Sequence, residues 1–231
     1  MATMDRIFDH PNAKQRPPVW WLLREIWSLA TYHPTPPDPA NLPNGKGHVV
    51  LVVPAFLTPD LATQPIRSFM TRCGYRAYGW ELGINWGPTP RILDGLRRRI
   101  RQLWEIEGGP ISVVGISLGG MLARNAAHEC ASDIRHVITL ASPIRLPTAS
   151  TVEPLIHCCA PFYSRDIVPA RIAAPLPVSS TTIFTPDDGV VSWESCRVEE
   201  AGGVAIGVRG PHTTICRNPD VLRIIAQRLA T

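Results

Sequence analysis

Apolar positions along the chain switch repeatedly between a strand period and a helix period. His48 to Val53 is a short β-branched run, the pattern of a strand buried on both faces. Thr63 to Cys73 reads as a helix, with Pro65 in its first turn and Gly74 just past its end. Tyr75 to Tyr78 is a second strand. Thr89 then caps a helix that starts at Pro90 and runs to Glu107. Its apolar residues Ile92, Leu93, Leu96, Ile100, Leu103 and Trp104 recur at spacings of three and four. Arg97, Arg98, Arg99 and Arg101 are read as its solvated face. Ile111–Val114 is the third strand, followed by a helix from Leu118 to Cys130. His136–Leu140, Val178–Phe184 and Val204–Val208 are the remaining strands. Asn218-Pro219-Asp220 caps a last helix ending near Leu229. Strands alternating with helices predict an α/β protein: about six mainly parallel strands, covered by helices on both faces, with right-handed crossovers.

Two stretches depart from this rhythm. Residues 1–45 hold eight prolines and one short apolar helix, Pro18 to Leu29, with Trp20, Trp21 and Trp27. They read as an N-terminal arm on a domain spanning 46–231. Residues 143–177 are proline-rich and weakly patterned, and read as a short insertion within that domain.

Composition narrows the class. With 231 residues, 45% hydrophobic and 18% charged, the chain is long and apolar enough for a core without disulfide or metal. A net charge of +4 is no nucleic-acid signature, and Lys14 and Lys46 are the only lysines among 23 basic residues. No apolar run is suited to crossing a membrane. Asp5, Arg6 and Asp9 stand where a secretory signal would need an apolar run, so a cytoplasmic protein with six reduced thiols is expected.

The strongest chemical signal is Gly115-Ile116-Ser117-Leu118-Gly119-Gly120, between a strand and a helix. A serine on so tight a turn is forced out of the sheet edge, and the flanking glycines remove clashing side chains. The N–H of Leu118 lies at the helix N-terminus, where donors are unpaired and an anion is favoured, so it is a candidate oxyanion donor. The G-x-G-x-x-G spacing of a dinucleotide site is absent.

In these residues the chain resembles the α/β-hydrolase superfamily, in particular its small bacterial esterases and lipases, over about residues 48 to 231. The resemblance implies a reduced α/β-hydrolase fold and the chain order nucleophile, acid, histidine. Ser117 is then the nucleophile. The histidine is His212 in the loop after the last strand, since no other histidine follows the fifth strand. His128 and His136 read as helix-surface and strand-edge residues. The family's Asp-Gly-Val/Ile-Val pattern maps onto Asp188 in Asp187-Asp188-Gly189-Val190-Val191, with Asp187 and Asp166 as alternatives. The second oxyanion donor is implied just after the first strand, in Pro54-Ala55-Phe56-Leu57, as the N–H of Phe56. Ala55 stands where glycine is usual, and would be strained if its φ were positive. Ile116 stands where an aromatic residue or histidine is common.

The expected activity is serine carboxylic ester hydrolysis (esterase or lipase) on short to medium acyl esters, with no metal or organic cofactor. The competing readings are an acyltransferase or thioesterase with the same triad, and a non-catalytic lipid-binding module. Trp86 and Ile116 are candidate pocket residues, and 143–177 is a candidate lid. The Trp20, Trp21, Trp27 helix could touch lipid, cover the site, form a dimer contact or pack on the sheet.

Overall fold

The structure is a computed structural model that describes residues 16–145, 149–167, 169–198 and 202–230. Asp5, Arg6 and Asp9 lie outside the described residues. Six strands form one parallel sheet: β1 (Val49–Val53), β2 (Arg76–Gly79), β3 (Ile111–Ile116), β4 (Ile134–Leu140), β5 (Ser179–Phe184) and β6 (Gly203–Gly207). Their order is β2-β1-β3-β4-β5-β6. The principal helices are α1 (Trp21–Thr31), α2 (Gln64–Arg72), α3 (Pro90–Glu107), α4 (Leu118–Glu129) and α8 (Pro219–Leu229). Shorter ones are α5 (Glu153–Cys159), α6 (Pro169–Ala173) and α7 (Trp193–Cys196).

The period of two in the central strands sorts their side chains between two core layers. Val49, Leu51, Val53, Ile111 and Val113 pack with Ile92, Leu96 and Leu103 of α3 and Met121 and Leu122 of α4. Val50, Val52, Val114 and Ile116 pack with Ile66 and Phe69 of α2 and Val221 and Ile225 of α8. Both faces are covered, which is why β1 and β3 read as unbroken apolar runs. The third strand runs two residues past Val114. Gly115 and Ile116 still pair with Thr139 and Leu140, because β4 is long enough to offer partners.

Two surface assignments are corrected. Arg99 is buried, not solvated: its guanidinium donates to Gly79 O and Gln102 Oε1 and pairs with Glu81. Ile92, Leu96, Arg99 and Leu103 follow one another at spacings of four, three and four, so position 99 lies on the apolar stripe. The long side chain crosses it to reach polar partners. His136 is not at an edge either. It sits inside the sheet, buried, with Nε2 3.0 Å from Thr181 Oγ1.

Burial pushes the His136 imidazole down to about 4, and the positive charges of Arg228 and Arg135 add to the effect. Its folded value lies below the unfolded value of about 6.5. The neutral ring's contribution to stability is therefore complete above the unfolded value and is lost as pH falls through the folded one. The interval corresponds to about 3 kcal/mol. The urea midpoint should fall between pH 7 and pH 4 more steeply in the wild type than in His136→Gln. Equal slopes would contradict this account.

Candidate active site

The chain leaves β1 for β2 on one side and returns to β3 on the other. The carboxyl ends of β1 and β3 thus flank the point where the winding reverses, the place where open parallel sheets bind ligands. Phe56 follows β1 and Ser117 follows β3 at that point. Asp188 follows β5 and His212 follows β6 at the same sheet edge.

Ser117 has φ 51° and ψ −120°, a conformation a non-glycine residue rarely holds. Its N–H donates to Leu140 O at 2.8 Å, which ties the turn to the end of β4. A Cβ at Gly115 would lie 2.5 Å from the backbone of Gly119 and Gly120, and one at Gly119 would lie 2.5 Å from Pro54 O. The two glycines let α4 start directly against the ends of β1 and β3. This brings the Pro54–Leu57 loop beside the serine turn, and Leu118 opens α4 with no intrahelical acceptor for its N–H.

That loop is held from the other side by Asn85, which is fully buried. Its Nδ2 donates to Pro54 O at 2.7 Å, its main-chain O accepts from Leu57 N at 2.8 Å, and its Oδ1 accepts from Gly87 N at 3.0 Å. The positive φ falls on Leu57 (57°), so Ala55 escapes the strain that a left-handed conformation would impose. Phe56 packs against the α3/α4 core layer and against Val152, Ile156 and Tyr163 of the insertion.

Asp188 is almost wholly buried. Its Oδ1 accepts from Val190 N and Val191 N, both at 2.8 Å, and its Oδ2 lies 2.7 Å from His212 Nδ1. The carboxylate thereby holds the proton on Nδ1 and leaves Nε2 as the basic nitrogen. Burial pushes the His212 imidazole down, but Asp188 and, more weakly, Glu25 outweigh it, so its pKa stands above the ordinary histidine value. Asp187 does something else: it pairs with Arg209 at 2.9 Å and accepts from Gly210 N. Asp166 accepts from Ser164 Oγ in the insertion.

Trp86, Thr89, Arg91, Ile92, Cys159 and Phe162 line a cavity of about 370 Å³. Ile116 lies elsewhere, in the core layer beneath the sheet edge. The segment after β4 meets this region through Ser164 N–H to Pro88 O, and Gly87 (φ 94°) leaves room for the Tyr163 ring. Arg124 of α4 anchors its far end by donating to Ile172 O and Ala174 O. Cys196 and Cys216 are buried and are not bonded to one another.

A hydrogen-bonded serine–histidine–carboxylate chain lies elsewhere, toward the amino end of β3. His48 Nε2 is 2.9 Å from Ser112 Oγ and His48 Nδ1 is 2.9 Å from Glu107 Oε1. Ser112, however, is fully buried inside β3, so no substrate reaches it and its flanking N–H groups belong to the sheet. Hydrogen-bond contacts of this kind alone therefore do not mark a site.

No protein-family model and no curated protein matches the sequence. Solved structures do. A lipase B from Aspergillus fumigatus superposes with TM-score 0.63 at 14% identity, over 85% of this chain and 56% of that one. The mature form of a Bacillus licheniformis lipase gives TM-score 0.61 at 15% identity, over 84% and 96%. A thioesterase domain from the curacin biosynthetic pathway gives 0.54 at 14%, over 82% and 93%. The fold is that of the α/β-hydrolases. In this sheet, the strand-to-helix turn after β3 and the loops after β5 and β6 reach the same edge. Ser117, Asp188 and His212 occupy them here.

Sequence reasoning passed over two residues that shape this edge. Asn85 was visible only as part of a loop. Glu25 is the lone acidic residue in the apolar run Trp20–Leu29, and that isolation was the only available signal. It is buried, and its carboxylate accepts from Gly189 N, His212 N and Thr213 N. Among the described residues, no helix is long and apolar enough to cross a membrane. Nor, among them, do three or more His, Cys, Asp or Glu gather as a metal site would require.

Proposed function

We propose that this protein is a serine carboxylic ester hydrolase. The observation that carries the reading is the 2.7 Å Asp188–His212 bond at the sheet edge where Ser117 sits on its positive-φ turn. Ser117 Oγ attacks the ester carbonyl as His212 Nε2 takes its proton. The N–H groups of Phe56 and Leu118 receive the oxyanion. The alkoxide leaves with the proton from His212. A water deprotonated by the same nitrogen then attacks the acyl-enzyme, and the acid departs as Ser117 recovers its proton. Asp188 keeps the imidazole in the productive tautomer and stabilises its cation.

The preference for short to medium acyl groups is part of this reading and is what the chain-length profile of hydrolysis tests. The same apparatus serves a thioesterase or acyltransferase, because the acceptor and leaving group are set by the pocket rather than by the triad.

Hydrolysis of p-nitrophenyl esters from C2 to C16 tests the reading. Free acid should form without added acceptor, with a maximum between C2 and C6. A fluorophosphonate should stop turnover by labelling the peptide that contains Ser117. Because His212 must be neutral to act as base, kcat/KM should rise with pH through a midpoint above about 6.5. Acceptor-dependent turnover alone would favour an acyltransferase, and label on another serine would remove the mechanism.

A further inference from the structure

Helix α1 is oriented against the usual rule. Its apolar residues Leu23, Ile26 and Trp27 are 71, 60 and 71% exposed, while Glu25 and Ser28 face inward and are buried. Its apolar burial is confined to the first turn, where half-buried Leu22 packs on Phe184, Val190, Val191 and Cys196. A buried carboxylate is costly unless hydrogen bonds replace its water. Glu25 finds them on two loops more than 160 residues away in sequence. Oε1 accepts from Gly189 N at 2.8 Å and His212 N at 3.0 Å. Oε2 accepts from Thr213 N and lies 2.9 Å from Thr213 Oγ1. Ser28 Oγ stands 3.1 Å from that same hydroxyl. The neighbouring Arg24 donates to Asp187 O. The fit is close: a Cβ at Gly189 would lie 2.8 Å from Glu25 Cγ and 2.9 Å from Oε1. Gly189 follows the acid Asp188, and His212 is the base itself, so one side chain binds the backbones of both partners.

We infer that Glu25 is a positioning residue for the Asp188–His212 pair. It clamps the acid loop to the histidine loop and makes the N-terminal helix part of the catalytic apparatus. The inference rests on the triad reading above. With Asp188 already bonded to the ring, what Glu25 adds is the separation of the two loops and a second negative charge near the imidazole. The charged groups bearing on His212 are Asp188 from the β5 loop and Glu25 from α1. Around Glu25 stand Arg24 on its own helix and, beyond that guanidinium, Asp187 with its partner Arg209.

The test compares wild type, Glu25→Gln, Glu25→Asp and Ser117→Ala on p-nitrophenyl butyrate across pH, with a urea midpoint for each. Glu25→Gln keeps the shape but removes the charge and turns an amide N–H toward the Thr213 donor. Its kcat should fall about 10- to 100-fold with KM little changed, as for a misplaced catalytic pair. The acid limb of kcat/KM should move down by about half a pH unit, because a charge that favours the imidazolium is gone. Glu25→Asp, with the charge restored on a shorter stem, should return the limb toward the wild-type position. A folded Glu25→Gln protein with wild-type kcat and an unmoved limb overturns the inference. Should Glu25→Gln fail to fold, Thr213→Val decides. It removes a donor and keeps the carboxylate, so a lower kcat at unchanged KM supports the clamp and an unchanged kcat refutes it. Full activity in Ser117→Ala would instead strike the triad reading.

Discussion

Ser117→Ala is expected to lower kcat for ester hydrolysis by about four to six decades, the scale seen when a triad nucleophile is removed. Ser112→Ala, which breaks the Ser112–His48–Glu107 chain, should leave kcat within about threefold of wild type. The contrast is informative because Ser112 already bonds a histidine while Ser117 stands on the edge where the Asp188–His212 pair lies. Ser112 bonds His48, but it is fully buried in the body of β3 and burial holds His48 below the ordinary histidine value. Ser117 sits at the carboxyl edge, on a strained turn, in front of a helix N-terminus. Losing the Ser112 hydroxyl leaves a buried ring nitrogen short of a partner and should cost about 1 kcal/mol of stability. Its signature is thus a lower urea midpoint at preserved kcat, whereas Ser117→Ala should show the reverse. If Ser112→Ala were the inactive variant, the assignment of the site to this edge would be wrong.

Asp188→Asn should lower kcat by about four decades while the protein stays folded. The amide oxygen can still accept from Val190 N and Val191 N, so the loop keeps its anchor. The amide nitrogen, placed where Oδ2 was, faces His212 Nδ1 as a donor. It therefore selects the tautomer with the proton on Nε2, and the base is lost. Asp187→Asn should stay within about tenfold of wild type, because its partner Arg209 is largely exposed and such pairs contribute little. Steady-state kinetics on both variants separate the adjacent carboxylates. A large loss in Asp187→Asn with a small one in Asp188→Asn would reverse their roles.

How much of this was legible depended on whether the signal was local. Strand and helix periods place the elements to within a residue or two in most cases, because burial on one stripe or on both faces is written into consecutive positions. The serine turn was legible for the same reason: glycines at 115 and 119 answer steric demands from atoms that adjacent elements supply. Arg99 and His136 depart from the expectation that polar residue types set, because position in the fold outranks residue type. Arg99 occupies a core-stripe position, and β4, which carries His136, lies between β3 and β5 rather than at a rim.

The sequence by itself determined the fold class, the nucleophile candidate and the short field of acids and histidines from which a triad could be drawn. Those follow from spacing within single segments. Tertiary structure alone decided that Asp188, and not Asp187, reaches His212, since two adjacent carboxylates differ only in where the folded loop points them. It also decided that Asn85 holds the Pro54–Leu57 loop and that Glu25 meets the backbones of Gly189 and His212. The Asn85 side chain reaches Pro54 O 31 positions away, and Glu25 reaches His212 N 187 positions away. No local pattern encodes such a pairing, because the partner is a backbone N–H or C=O that every sequence possesses and only the packed chain can bring within reach.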